Sequence, residues 1–215
     1  MDDFKDKVVI VTGAGGGIGR AHALEFARRG AKVVVNDLGG SAAGEGASDM
    51  ADQVVDEIKA GGGIAIANKA SVSDRAGAKS IVDDAVTEFG TVDILVNNAG
   101  ILRDKSFKNM TLDNWDIVMD VHINGSAYVT HAAWPIMYAK NWGRIVFTSS
   151  TSGIFGNFGQ ANYGAAKMAM VGLMNVLERE GASHNVRVNT LAPAAATRLT
   201  NTVPGLEEDL NHPDP

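Results

Sequence analysis

A doubly wound α/β fold, with helices on both faces of one parallel sheet, is predicted by three observations. Short apolar, β-branched runs alternate with longer stretches of helical periodicity along the 215-residue chain. The first such run, Val8 to Val11, ends in Thr12 and a glycine-rich turn, TGAGGGIG at 12–19, which opens into RAHALEFARRG. The second, KVVVND, closes on an acidic residue, Asp37, 24 positions after Gly13.

The elements follow in order. A strand near 7–12 meets the turn, where Gly13 permits a tight bend and Gly17 lets backbone approach a pyrophosphate. Gly19 lets the next helix, 18–29, pack closely on the strand, and the start of that helix offers free N–H groups and partial positive charge to an anion. A strand at 32–36 leads to Asp37 and then to GGSAAGEGASD at 39–49, a loop whose composition predicts flexibility. Helix 48–60, strand 63–68, helix 74–89 and strand 92–96 continue the alternation, and NNAG at 97–100 ends the fourth strand. One long helix is expected over 112–139, then a strand at 144–149, a helix at 161–182 and a strand at 186–191. Crossover handedness puts Gly13, Asp37, Asn97, Ser150 and Pro193 along the carboxyl edge of the sheet, where a ligand cleft belongs. No repeat or linker interrupts the pattern, so residues 1–215 are expected to be a single domain.

Composition agrees. With 45% apolar and 20% charged residues, the chain can bury a substantial core without staples. Cysteine is absent, which excludes disulfides and thiolate chemistry and fits a reducing cytosol. A net charge of −6 opposes nucleic acid or an anionic membrane as partner. MDDFKDK is charged and the apolar run after it is too short for a secretory or membrane segment, and the final residues are not a Ser-Lys-Leu type peroxisomal signal, which leaves the cytoplasm as the expected location. His22, His122, His131, His184 and His212 show no ligand spacing, and no metal is expected.

The chemistry sits in NYGAAKMAM, where Tyr163 and Lys167 are four residues apart and Ser150 lies thirteen residues upstream. A free phenol has a pKa near ~10 and is a poor base at neutral pH. On a helix this spacing puts both side chains on one face, so the Lys167 ammonium can favour phenolate. Lowering a pKa by about three units takes roughly 4 kcal/mol, and a cation at about 4 Å with an effective dielectric of ~20 supplies that much. A cationic oxidised cofactor would add to it, and Ser150 can hold a substrate oxygen while Tyr163 exchanges its proton. Alone, Tyr-x-x-x-Lys also describes an exposed Tyr beside a solvated Lys. What favours the chemical reading is the glycine turn, together with Asp37 placed to accept hydrogen bonds from adenosine ribose hydroxyls and to repel a 2′-phosphate, so NAD is expected over NADP.

TGAGGGIG, Asp37, NNAG, Ser150, Tyr163 and Lys167 occur in the order and approximate spacing of the short-chain dehydrogenases/reductases, which the chain resembles over nearly its whole length. Within that family, VVVNDLGG, NNAGILRDKSF, GRIVFTSSTSGIFGNFGQANYGAAK and VHINGSAYVTHAAWPIM most resemble the (3R)-hydroxyacyl-CoA dehydrogenase part of the peroxisomal multifunctional beta-oxidation enzyme. The resemblance implies a Rossmann fold and an oxidoreductase acting on a secondary alcohol or ketone, a 3-hydroxyacyl/3-oxoacyl-CoA pair above all. Another alcohol (a steroid, a sugar-derived alcohol or an acyl-carrier-protein substrate) and a non-catalytic NAD-binding scaffold are the alternatives. It implies Tyr163 as general acid/base, Lys167 on the nicotinamide ribose and Ser150 on the substrate oxygen. It also implies cofactor contacts from Gly13, Gly17, Ile18, Gly19, Asp37, Ser71, Val72, Asn97, Ala99, Gly100, Pro193 and Thr197.

The sequence departs from the family in three places. Ala70 stands where an Asp often contacts adenine, and Ala194 where a Gly commonly follows the proline. His122, 28 residues before Ser150, stands where many members place an Asn that holds a water of the proton relay; it can hold that water or support the helix backbone. Asn124 should face elsewhere. After the TRLT segment the chain stops at NHPDP, short of the usual C-terminal part, so specificity determinants are expected to be missing. Ala165 to Leu177 carries one charge, Lys167, and is apolar or small on every face. Too short to span a bilayer, it predicts a subunit interface and a homodimer or homotetramer, as does the crowded 112–139 helix with Trp115, Met119, Tyr128, Trp134 and Met137.

Overall fold

Six parallel strands alternate with helices in the computed structural model, which describes residues 3–193. Strands β1 (Val8–Thr12), β2 (Lys32–Asn36), β3 (Ile64–Asn68), β4 (Ile94–Asn97), β5 (Gly143–Thr148) and β6 (Val186–Leu191) pair in the order β3-β2-β1-β4-β5-β6. Ile10 lies opposite Val34 on one side and Leu95 on the other. Chain direction across the sheet reverses between β1 and β4, which opens a crevice at the carboxyl edge.

Side-chain alternation sorts the strands into two cores. Val9, Val11, Val33, Val35, Ile94 and Val96 face α1 (Gly17–Arg28) and α2 (Met50–Ala60). Val8, Ile10, Val34, Leu95, Ile145 and Phe147 face the opposite layer, α3 (Arg75–Phe89), α5 (Gly125–Ala139) and α7 (Ala161–Gly181), while α4 (Leu112–Met119) packs through Val118 in a smaller cluster with Ile101 and Ala166. All five residues of β1 are buried, and its apolar side chains each contribute roughly 1.5–3 kcal/mol. Burial on both faces is why the strands read as continuous apolar runs rather than as an alternating pattern.

Two expectations are revised. The single helix expected over 112–139 is α4 and α5 joined by a π-helical turn, Asp120–Asn124, with His122 at its centre, and Pro135 lies inside α5. The loop after β2, expected to be flexible, is tethered at both ends and in its middle. The Gly39 N–H donates to Asp37 Oδ1 at 2.7 Å, and Ser48 Oγ donates to the Gly39 carbonyl at 2.9 Å. The Leu102 N–H donates to the Ala42 carbonyl at 2.9 Å, Gly44 packs on Ile101, and Glu45 pairs with Arg103 at 3.2 Å. Because β2 and β4 flank β1, this loop crosses the end of β1 as a strap joining the segments that follow β2 and β4. A short helix, α6 (Thr151–Phe155), also forms where the sequence showed no periodicity.

Candidate active site

The glycine turn is shaped by close backbone packing. Gly13 has φ +63° and Gly17 φ +53°, conformations that strain any residue with a Cβ. A Cβ on Gly13 would lie 2.7 Å from Ala99 Cα, and one on Gly19 only 2.2 Å from the Gly13 carbonyl oxygen. The α1 helix follows the N-cap residue Gly16 with no capping side chain and no acidic residue in its first turn, so the N–H groups there, that of Ile18 included, remain available to an anion.

Asn98, not among the residues expected at the site, braces this turn: its Nδ2 donates to the Thr12 and Gly13 carbonyls at 3.0 and 3.1 Å. Thr12 Oγ1 in turn accepts from the Asn98 and Ala99 N–H groups. Adjacency within NNAG was the available signal. Its neighbour Asn97 points into the fold and donates to Thr130 Oγ1 at 2.9 Å, with its own Oδ1 buried and unpartnered.

Asp37 is held by two backbone donors, Gly15 N–H to Oδ2 and Gly39 N–H to Oδ1, each at 2.7 Å. A carboxylate has about four acceptor sites, so two remain for sugar hydroxyls. Ser71 Oγ pairs with Ser73 Oγ at 2.9 Å. Val72 is buried with its side chain against Gly125, which leaves its backbone as the group it can offer a ligand. Pro193 follows β6 at the same sheet edge, and Thr197 lies outside the described residues.

Ser150, at the end of β5, accepts from the Ser152 N–H at 3.1 Å and so starts α6. Tyr163 and Lys167 share one face of α7. Lys167 is 3% exposed; its Nζ donates to the Thr148 carbonyl at 2.6 Å and lies 5.3 Å from the Tyr163 ring centroid. Burial lowers its pKa to about 7. The expected lowering of the phenol pKa is not what this geometry produces. Burial raises the Tyr163 pKa, the Ser150 hydroxyl opposes that, and the Asp104 charge adds to it. The ammonium lies over the ring and is committed to a backbone carbonyl, which weakens its effect on the phenolic oxygen.

His122 belongs to this cluster, its ring perpendicular to that of Tyr163 with centroids 5.2 Å apart. Its Nε2 sits 2.8 Å from the Ile101 carbonyl and 3.0 Å from the Ile101 N–H, while Nδ1 is buried without a partner among the described residues. Burial, with the Lys167 charge adding, pushes its pKa down to about 3, so the ring is neutral. A Cβ on Gly100 would lie 2.4 Å from His122 Cε1, so glycine there makes room for the imidazole. Asn124 instead donates to Asp120 at 2.7 Å on the exposed side of the turn.

The sheet edge therefore joins a bare helix start, a pinned acid at the end of β2 and a hydroxyl–phenol–ammonium group beside α7. His122 Nδ1, Asn97 Oδ1 and Thr148 Oγ1 are buried polar atoms left unpartnered there. These residues fit a dinucleotide: the turn suits a pyrophosphate, Asp37 a ribose and Lys167 a second ribose. Among the described residues no group of three or more His, Cys, Asp and Glu could hold a metal, and no helix is long and apolar enough to cross a membrane.

Comparison with known proteins gives a consistent result. The short chain dehydrogenase family matches residues 7–210. Peroxisomal multifunctional enzyme A of Dictyostelium discoideum is 61% identical over 202 residues, 94% of this chain and 45% of that protein. The peroxisomal hydratase-dehydrogenase-epimerase of Saccharomyces cerevisiae is 55% identical over 201 residues, 93% of this chain and 22% of that protein. The chain thus spans less than half the length of these two relatives. The crystal structure of a short chain dehydrogenase from Mycobacterium avium superposes with a TM-score of 0.82 at 45% identity, covering 88% of this chain and 68% of that one.

Proposed function

This chain belongs to the short chain dehydrogenase family, and from that premise we propose that it is an NAD-dependent oxidoreductase interconverting a 3-hydroxyacyl and a 3-oxoacyl thioester. The observation that carries the proposal is the Ser150, Tyr163 and Lys167 group at the carboxyl edge of the sheet, next to the uncapped start of α1. In the oxidative direction Ser150 Oγ orients the substrate hydroxyl and Tyr163 accepts its proton; in the reductive direction Tyr163 returns it. Bound NAD supplies the hydride acceptor. Lys167, fixed by the Thr148 carbonyl, favours phenolate when ionised and would hold a ribose hydroxyl of the dinucleotide. His122, neutral and held at Ile101, keeps Nδ1 free to bind a water that passes the proton outward.

The choice of NAD rests on Asp37, whose charge opposes a 2′-phosphate, and on the absence of a basic residue between Gly13 and Gly19. An acyl thioester is favoured by the resemblance of VVVNDLGG, NNAGILRDKSF and GRIVFTSSTSGIFGNFGQANYGAAK to a (3R)-hydroxyacyl-CoA dehydrogenase. A homodimer or homotetramer is supported by Met168 and Val176 on α7, 48% and 51% exposed. A cytoplasmic location completes the proposal, and fractionation tests it against the peroxisomal names of both relatives.

The test is reduction of NAD or NADP by a panel of alcohols that includes (3R)- and (3S)-hydroxyacyl-CoA. Turnover of the (3R) thioester with NAD is expected. Turnover of other alcohols alone would keep the mechanism and discard the substrate. Loss of turnover in Tyr163→Phe with NAD binding retained would rule out a non-catalytic scaffold.

A further inference from the structure

The segment after β4 is fastened to the start of α7 by a set of hydrogen bonds that the proposed proton transfer does not use. The Lys105 N–H donates to the Gly159 carbonyl at 2.9 Å. Asn162 Nδ2 donates to the Arg103 and Asn114 carbonyls at 3.3 and 3.0 Å, and Asn162 Oδ1 accepts from the Tyr163 N–H at 2.8 Å. At the centre of this set, Gln160 Nε2 donates to Asp104 Oδ2 at 2.7 Å. Gln160 is 3% exposed, immediately precedes α7 and lies three residues before Tyr163.

Asp104 is an unusual partner for a neutral amide. Its other oxygen, Oδ1, is buried with no hydrogen-bond partner, and among the described residues it makes no ion pair. The adjacent Arg103 pairs with Glu45 instead. Four groups act on Tyr163: the Ser150 hydroxyl, the neutral His122 ring, the Lys167 ammonium over the phenol ring, and the Asp104 charge. Of these only Asp104 is negative; burial raises its own pKa, and the hydrogen bond from Gln160 opposes that.

We propose that Asp104 is a positioning residue for Tyr163: through Gln160 it fixes the turn that launches α7, and it is the one acidic group among those acting on the phenol. The second half rests on the proposed acid/base role of Tyr163. The device holds Tyr163 ready as the acid for carbonyl reduction and opposes its use as the base for alcohol oxidation. Removing the charge while keeping the hydrogen bond separates the two halves, because an amide oxygen at position 104 still accepts from Gln160.

The experiment is an ultraviolet titration of tyrosinate in the full chain. Tyr163 is resolved from Tyr128 and Tyr138 by difference against Tyr163→Phe, and the titration is repeated in the Asp104→Asn background. The pH profile of turnover on an alcohol of the panel is recorded alongside. Asp104→Asn is expected to lower the Tyr163 transition by about one unit, to shift the rising limb of oxidation equally, and to leave thermal stability nearly unchanged. Asp104→Leu, which also removes the acceptor for Gln160, is expected to lose stability as well as shift the transition. Asp104→Ser supplies a second acceptor should the Asn variant fold poorly. A Tyr163 transition that stays in place in a folded Asp104→Asn or Asp104→Ser protein overturns the proposal. If Tyr163→Phe keeps full turnover, the acid/base reading of Tyr163 fails separately, whatever the titration shows.

Discussion

Lys167 is placed at the expense of stability. It is buried with its ammonium donating to one backbone carbonyl, and its pKa falls from 10.5 to about 7 on folding. Between those values the unfolded chain binds a proton that the folded one refuses, so stability falls as pH drops from about 10.5 toward 7, with the full penalty reached below that. Lys167→Met is therefore expected to stabilise the protein at pH 7 by roughly 2 kcal/mol, a rise of about 5 °C by calorimetry, while abolishing turnover. His122 works in a more acidic window. Its pKa drops from 6.5 to about 3, so its contribution is present above 6.5 and is lost as pH falls toward 3. His122→Asn should keep most activity and His122→Leu should lose more, about tenfold; equal rates in the two variants would sink the water-relay role. Ser150, Tyr163 and Lys167 were legible because their signal is local spacing on one strand end and one helix. Asp104 and Gln160 were not, since they stand 56 positions apart and two loops bring them together.

At the scale of elements, the glycine turn tolerates nothing larger. Gly19→Ala would put a methyl 2.2 Å from a backbone oxygen that cannot rotate away, so a loss of about 3 kcal/mol in chemical denaturation is expected, with NAD binding weakened in whatever folds. Strands and helices were readable because their periods persist over many residues. The π turn was hidden for the same reason: one residue gained in a 28-residue apolar helix rotates the pattern too little to break it. Its effect is local, placing His122 at the turn's centre where it faces Ile101 and Tyr163 while Asn124 stays outside. The order of the strap after β2 is invisible in its sequence because glycine and serine content reports the absence of a period and is silent about long-range tethers such as Ala42 to Leu102.

At the scale of the whole molecule, sheet order places every site element on one edge, and the opposite faces of α5 and α7 are left for other work. Val176→Glu on the exposed side of α7 is expected to shift the protein to a smaller species by light scattering, with the fold retained. The strap lies on the cleft side, across the carboxyl end of β1. Because it passes across the end of β1 and is pinned by Arg103 and Glu45, Arg103→Ala is expected to speed NADH release several-fold in stopped-flow fluorescence, and a Glu45→Arg, Arg103→Glu exchange to restore the slower rate. A strap acting in this way would retard arrival as well as departure and so leave affinity nearly untouched. On the proposed NAD-dependent reading, what it would govern is residence time, and thus whether successive turnovers are paced by chemistry at Tyr163 or by the interval before the spent dinucleotide escapes.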